Sequence, residues 1–402
     1  MNKLTVISLV LSLFVNCYSQ EPTRWRGPAG NGIYPESGLL KAWPASGPQI
    51  LWSYEELGKG HSSAVVANGF VYTSGMIDET GFLFKFDMEG TLIYKKPYGP
   101  EFSESYNGTR GTPVIAGNNV YMVSGAGTLV CLNDEDGAMV WSKDLTNDFD
   151  GNVIRWGINE TPVVDGDVIY ATPGGKKNNV VALNRHTGDL IWNSTGNGEL
   201  SAYSTPLLIE HNGRKILVTH TESNLIGMDA LTGEHLWSQR QPNKYSVHAN
   251  TPIYNNGMLF YFSGYGQGGG MVKLNGDGSS VSTEWNHKIM DSRMGGAVLV
   301  DGYLYGSGDK NRQWHCLEWE SGKEMYTSSA IAKGAVIYAD GMLYCYSERG
   351  ELALVKADPS GFNVVSQTKV TKGSEQHWAH PSLYDGVLYV RHGNAIIAYK
   401  VN

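Results

Sequence analysis

The sequence predicts an all-β chain folded as an eight-bladed β-propeller of four-stranded blades, with the last blade closed by the N-terminal strand. Three observations carry this expectation. A unit of one pattern recurs along the chain, its turns are those of hairpins, and its last copy lacks a strand whose counterpart stands near the N-terminus.

The first 19 residues read as a signal peptide. Asn2-Lys3 provide a short positive start, and Leu4 to Val15 form an apolar run too short to span a bilayer. Cleavage after Ser19 would leave Gln20 at the mature terminus, so the chain is expected to be exported to the periplasm or secreted. A lipoprotein anchored through Cys17 ranks behind this, because the preceding Phe14-Val15-Asn16 is a poor match for such a site. Residues 20–47 then form an N-terminal extension, and 48–402 the propeller.

The repeat is clearest from Thr112 to Trp141, Thr161 to Trp192 and Ser204 to Trp237. Each copy opens on a small or Pro-containing stretch and an apolar run. An Asp/Asn-Gly-type turn and an aromatic strand follow, then another apolar strand, a T-G or D-G turn, and a strand ending in Trp. Weaker copies begin near Ser62, Thr251, Gly295, Gly334 and His380. Closing aromatics fall at Tyr94, Trp141, Trp192, Trp237, Trp285 and Tyr326, spaced 41 to 51 residues apart. That length holds four short strands, and Asp-Gly or Asn-Gly suits the φ > 0 corners of hairpins. The copy from His380 stops at Asn402 without its last strand. Pro48 to Ser53 (PQILWS) provides the missing piece, which would close the ring and remove two open edges.

Composition agrees with this fold. The 402 residues are 41% hydrophobic with 50 glycines and only 17% charged, and lack long helical windows. A net charge of −8 argues against a nucleic-acid partner, which needs a basic face. No later segment is long and apolar enough to span a membrane. Once the leader is removed Cys131, Cys316 and Cys345 remain, an odd number without CxxC spacing, and read as buried structural thiols.

The signature A-L-N-x-x-T-G-x-x-x-W resembles that of the pyrroloquinoline-quinone-like propellers, over nearly the whole mature chain. The resemblance implies the fold but several functions. The family includes quinoprotein alcohol dehydrogenases, an outer-membrane assembly lipoprotein, and exported proteins that open with W-R-G-P, as Trp25-Arg26-Gly27-Pro28 does here. The dehydrogenases place an adjacent cysteine pair beside the quinone and hold calcium with Glu, Asn and Asp. No two cysteines are adjacent in this chain, so a quinone is disfavoured and no cofactor is expected.

Residues leading into each innermost strand should face the mouth of the central channel, on loops held by a rigid ring. Aligning the repeats places there His61, Arg110, Arg155, Trp156, Asn159, Tyr203, His248, Asn250, Arg293, Lys333, His377, Trp378 and His380, with Glu160 as the only acid. Loops between second and third strands should rim the same face, with Lys176, Lys177, His220, Tyr265, Lys310, Arg312, Trp314, Arg349, Arg391 and His392. Trp314, in a polar loop, is expected to be an exposed stacking platform.

A mouth rich in Arg, Lys and His suits an anionic ligand, and indoles suit sugar faces. The expected partner is therefore an anionic, uronate-containing oligosaccharide bound by a monomer. Substrate binding falls to Arg110, Arg155, Trp156, Asn159, Asn250, Arg293, Lys333, Trp378 and Trp314. A glycosidase needs two carboxylates, and no G-x-S-x-G elbow is present. β-Elimination, by a lyase or a dehydratase, fits better. An arginine would neutralise the substrate carboxylate, Tyr203 or a neutral His would take the C5 proton, and another of His61, His248, His377 and His380 would protonate the leaving group. Gathering of those imidazoles around a divalent metal is an alternative, although His377 and His380 on a strand would face opposite sides. A non-catalytic scaffold of outer-membrane assembly type is the second functional reading.

Overall fold

The computed structural model describes residues 21–402, so the expected leader, its cleavage near Ser19 and the Cys17 alternative lie outside the described residues. The described residues contain 32 strands and no helix, hence none long and apolar enough to cross a membrane. The strands form eight four-stranded antiparallel sheets, the blades of a closed propeller. Blades 1 to 7 occupy residues 65–100, 114–144, 163–194, 207–240, 253–287, 297–328 and 334–369. In blade 8, Gln49–Tyr54 pairs with Ala395–Lys400 (Ser53 opposite Ile397), so both ends of the chain share one sheet and close the ring as expected.

In blades 1 to 7 the strands run from the axis outward in chain order, whereas the outermost strand of blade 8 is Gln49–Tyr54. Middle strands such as Val180–Asn184 are buried on both faces between neighbouring sheets, whereas outermost strands such as Leu190–Ser194 alternate. The core is therefore a set of inter-blade layers. Between blades 6 and 7, Val298, Tyr305 and Cys316 meet Val336, Leu343 and Cys345.

The structure gives the repeated residues their roles. The Thr of each Thr-Pro opening ties its blade to the previous one. Thr112 Oγ1 accepts from Ser63 N (3.1 Å), Thr161 Oγ1 from Thr112 N (3.1 Å) and Thr205 Oγ1 from Thr161 N (3.0 Å). The following proline needs no acceptor of its own.

The closing aromatic and the T-G turn form a joint between consecutive blades. Nε1 of Trp52, Trp141, Trp192 and Trp285 donates to Met88, Arg185, Ala230 and Trp319 carbonyls of the next blade. Each indole also lies over a left-handed glycine of that blade, respectively Gly90, Gly188, Gly233 and Gly322, where a Cβ would strike the ring.

A β-bulge precedes every closing position. Leu51, Ile93, Val140, Ile191, Leu236, Glu284, Met325 and Val365 are each skipped in the pairing. These bulges twist the outermost strands at the perimeter, where unpaired edges invite association.

The N-terminal extension fills the channel from one face. Thr23 is bonded to the innermost strand of blade 2, through its N to Ile115 O and its Oγ1 from Ile115 N. Ile33 forms a parallel bridge to Tyr338, in the innermost strand of blade 7. Between these points Trp25 and Arg26 reach the axis. Buried Arg26 donates from Nη1 to His380 Nδ1 (2.9 Å) and from Nη2 to Ala297 O (2.6 Å). Blade 6 has no Thr-Pro opening, and its Gly296 leaves the space that the Arg26 guanidinium occupies.

Candidate functional site

With one end of the channel plugged, the other is a blind cavity of about 190 Å³ at the ring's mouth. It is lined by eight of the residues expected there: His61, Arg110, Trp156, Asn159, Tyr203, Arg293, Trp378 and His380. Trp25 forms its floor, with its ring 4.9 Å from that of His380 and its Nε1 donating to Ser63 Oγ (3.3 Å). Two groups of rings make the walls. Trp156 stands 6.1 Å from Tyr203 and 5.9 Å from Tyr245, which meets Tyr265 at 4.9 Å. Trp378 stands 4.9 Å from His61 and 5.4 Å from Tyr106. The cavity tyrosines Tyr106, Tyr203 and Tyr265 all have positive φ (44°, 67° and 61°). For a bulky side chain that costs about 1–2 kcal/mol each, and such strain concentrates at functional sites.

Sequence reasoning missed Trp25, Tyr106, Val247, Ala249 and Met294 in the lining. The W-R-G-P motif was the available signal for Trp25, but nothing local to it tells that the segment crosses the axis. Six of the expected catalytic and binding residues are not in the lining, exposed Arg155 among them. Trp314 begins the strand Trp314–Glu318, fully buried, with Nε1 donating to Ala332 O (3.0 Å) and its ring stacked on Phe362. It is a core residue, and the polar run Asp309 to Gln313 ends just before it. Asn250 is spent on Ser292 O (2.6 Å) and Gly296 N (3.0 Å). His248 is buried against His220, rings stacked at 5.0 Å, with Nε2 on Glu222 O. His377 stacks on His392 at 3.7 Å and bonds Tyr346 OH through Nδ1 (2.5 Å). Lys333 is ion-paired to Asp309 (2.6 Å) and Glu348 (2.9 Å).

The charges of the mouth differ from the uniform cationic ring that the repeats predict. Arg293 shares the acids of Lys333, with Nε 3.1 Å from Asp309 and Nη2 3.6 Å from Glu348, so that side is neutralised. Arg110 gives Nη1 to Gly108 O and Nη2 to Ser105 O and Tyr106 O, clamping its own loop. Behind it Glu101 is held up at about 7 by burial, against hydrogen bonds from Tyr98 and Gly125. Exposed Arg155 lies over the Trp156 ring at 4.9 Å. Among the described residues neither Arg110 nor Arg155 has a carboxylate within ion-pair distance. Glu160 turns inward, accepting from Thr172 N (2.9 Å) and its hydroxyl, and burial raises it to about 7.

The groups expected to move protons are, except for His61, committed elsewhere. Burial, ahead of all else, holds the Tyr203 phenol up at about 12, and its oxygen accepts from Trp156 N (3.3 Å). His380 has both nitrogens used, by Arg26 and by Met294 O (2.6 Å), and burial lowers it to about 3. His61 falls to about 3 through burial and then Arg110 and Arg391, and its two nitrogens have no partner among the described residues. Burial likewise lowers His248 and His377 to about 4. No group of three His, Cys, Asp or Glu side chains among the described residues can hold a metal. The residues do not fit a quinone of the dehydrogenase kind either. Cys131, Cys316 and Cys345 are buried singly in blades 2, 6 and 7, so no adjacent thiol pair exists.

Comparison with known proteins agrees with this chemistry. Residues 36–328 match the family described as outer membrane protein assembly factor BamB. The BamB of Salmonella typhimurium is 24% identical over 362 residues, 75% of this chain and 86% of that protein. The BamB of Vibrio cholerae is 22% identical over 237 residues, 56% of this chain, and the match spans 57% of that relative's length. The crystal structure of BamB from Moraxella catarrhalis superposes with a TM-score of 0.63 at 12% identity, covering 88% of this chain and 99% of that one, which shows the fold. These relatives overturn the expectation of a uronate lyase or dehydratase and of an anionic oligosaccharide partner, since they are named for protein assembly. The site fits that correction in that Tyr203 and His380 are hydrogen-bonded and His248 and His377 lie outside the lining. With the family match spanning well over half of its 402 residues, the chain belongs to the outer membrane protein assembly factor BamB family.

Proposed function

We propose that this chain is a non-catalytic scaffold that holds partner proteins during outer-membrane protein assembly. The observation that carries the reading is the family match over residues 36–328. The molecule suits the role. A ring closed by its own two ends and plugged by its own N-terminal segment is rigid without a ligand, and it presents its blade-connecting loops from fixed positions. A rigid platform avoids ordering its own chain on binding, which lowers the entropic cost of association. We further propose that the chain is exported by a leader ending near Ser19, which would put it on the side of the inner membrane where such partners act.

Affinity isolation of the native chain from the cell envelope tests this. Proteins of the assembly machinery are expected to co-elute, and depletion of the chain is expected to lower the amount of outer-membrane barrels. Recovery of the chain alone, with an unaltered outer-membrane profile on depletion, would overturn the proposal. The N-terminal mass of the isolated chain separates a soluble form beginning at Gln20 from one acylated at Cys17.

A further inference from the structure

We infer that the mouth cavity is a peptide-recognition site, taking an aromatic side chain that lies next to a carboxylate on an extended segment of a partner protein. The inference rests on the scaffold reading for the class of partner, and on the cavity's own chemistry for what is recognised.

Four observations converge on it. The walls are aromatic on two sides and the floor is the Trp25 indole, so a flat apolar group finds ring faces around it. No Asp or Glu lines the cavity. Arg110 and Arg155 bring positive charge to the side made by blades 2 and 3, whereas Arg293 across the mouth is already paired with Asp309 and Glu348. Burial pushes Glu101, the acid nearest Arg110, toward its neutral form.

The same inventory argues against a sugar. A pyranose carries hydroxyls all round its ring, and each needs a partner when buried. The cavity's Thr112, Thr161 and Thr205 oxygens already accept from Ser63, Thr112 and Thr161 amides, and Asn159 is the lone side-chain amide in the lining. An aromatic ring asks for none of these bonds. A single carboxylate asks only for a cation, which Arg155 provides from an exposed position without giving up a bond of its own.

The carboxylate has two sources, an Asp or Glu side chain beside the aromatic residue or the α-carboxylate of a C-terminal aromatic residue. Three short flexible peptides separate them when titrated into the purified mature chain, followed by quenching of tryptophan fluorescence. One ends in Asp-Phe with an amidated terminus, one in Asn-Phe with a free terminus, and one in Asn-Phe with an amidated terminus. One or both charged peptides should bind about tenfold more tightly than the neutral one, and the tighter of the two identifies the source. Arg155→Gln, at a solvent-exposed side chain, should abolish that preference without altering thermal stability. Trp156→Ala and Trp378→Ala should weaken all three peptides by about tenfold or more. Failure of every peptide to saturate the chain at millimolar concentration, or binding indifferent to all three substitutions, overturns the inference. A chain that co-isolates its partners yet binds no peptide overturns this inference alone. One that binds peptide but co-isolates nothing overturns the scaffold reading alone.

Discussion

At the scale of single residues, the least ordinary feature is a buried arginine without a carboxylate. Burial lowers the Arg26 guanidinium to about 10, and its bonds go to a neutral imidazole and a carbonyl. Two glycines make this feasible, since a Cβ on either Gly32 or Gly296 would overlap the guanidinium. Gly296 (φ 66°) and Gly302 (φ 83°) lie in the same blade and both adopt the left-handed conformation, but nothing lies within 4 Å of the Gly302 Cβ position. Gly302→Ala should therefore lose only the conformational cost, about 1 kcal/mol. Gly296→Ala should lose at least about 3 kcal/mol, because a buried, bonded group must also move. Urea unfolding of the two variants checks the contrast. In an Arg26→Ala background the extra loss at Gly296 should shrink, as coupling between touching residues requires. Equal losses at the two glycines would show that Arg26 is not held as described.

At the scale of elements, a blade is a sheet and the joint that fastens it to the next. The indoles of Trp141 and Trp192 donate to Arg185 O and Ala230 O across two successive blade boundaries. Replacing either by Phe keeps most of the ring over Gly188 or Gly233 and deletes the donor, which should cost about 1 kcal/mol each. Because the joints share no partner, the double variant should lose about the sum. A loss in the pair much larger than that sum would mean that the ring fails at one joint when another is weakened. These joints explain why the blades were legible in the sequence: Trp, Gly and Thr-Pro recur because each makes the same contact at successive boundaries. The closing strand was legible for the same reason, since Trp52 makes over Gly90 the contact that the missing strand of blade 8 would make. The cavity was only half legible. Alignment locates His61, Arg110, Trp156 and Tyr203 because the innermost strands fix their register. It cannot locate Tyr106 or Tyr245, which sit in irregular loops, or Trp25, which arrives from the far face. The charge of the mouth was not legible because Asp309 and Glu348 lie in variable loops of blades 6 and 7, and they bridge Arg293 and Lys333 both within a blade and across the boundary between the two.

At the scale of the whole molecule, burial of ionisable groups makes stability depend on pH with opposing signs. Glu101 and Glu160 are raised from 4.5 to about 7 by burial. The folded state therefore holds more protons than the unfolded chain between those values, and these groups stabilise it as pH falls from 7 to 4.5. The histidines act the other way. Burial lowers His61, His287 and His380 to about 3 and His248 to about 4, and takes His220 well below 6.5. The unfolded chain takes up their protons first, so their contribution is complete above 6.5 and is lost progressively as pH falls toward 3–4. Each group is worth at most about 1.4 kcal/mol per pH unit within its window. Five buried histidines oppose two glutamates, so the histidines prevail wherever the windows overlap. The urea midpoint should be nearly level from pH 8 to 7 and should fall steadily from pH 6.5 to 4.5. His220→Phe should flatten the decline, because it keeps a stacked ring beside His248 and removes one titrating nitrogen pair. A midpoint that rises on acidification from 6.5 would mean that the glutamates prevail, and that the histidines open to water as readily as the acids do.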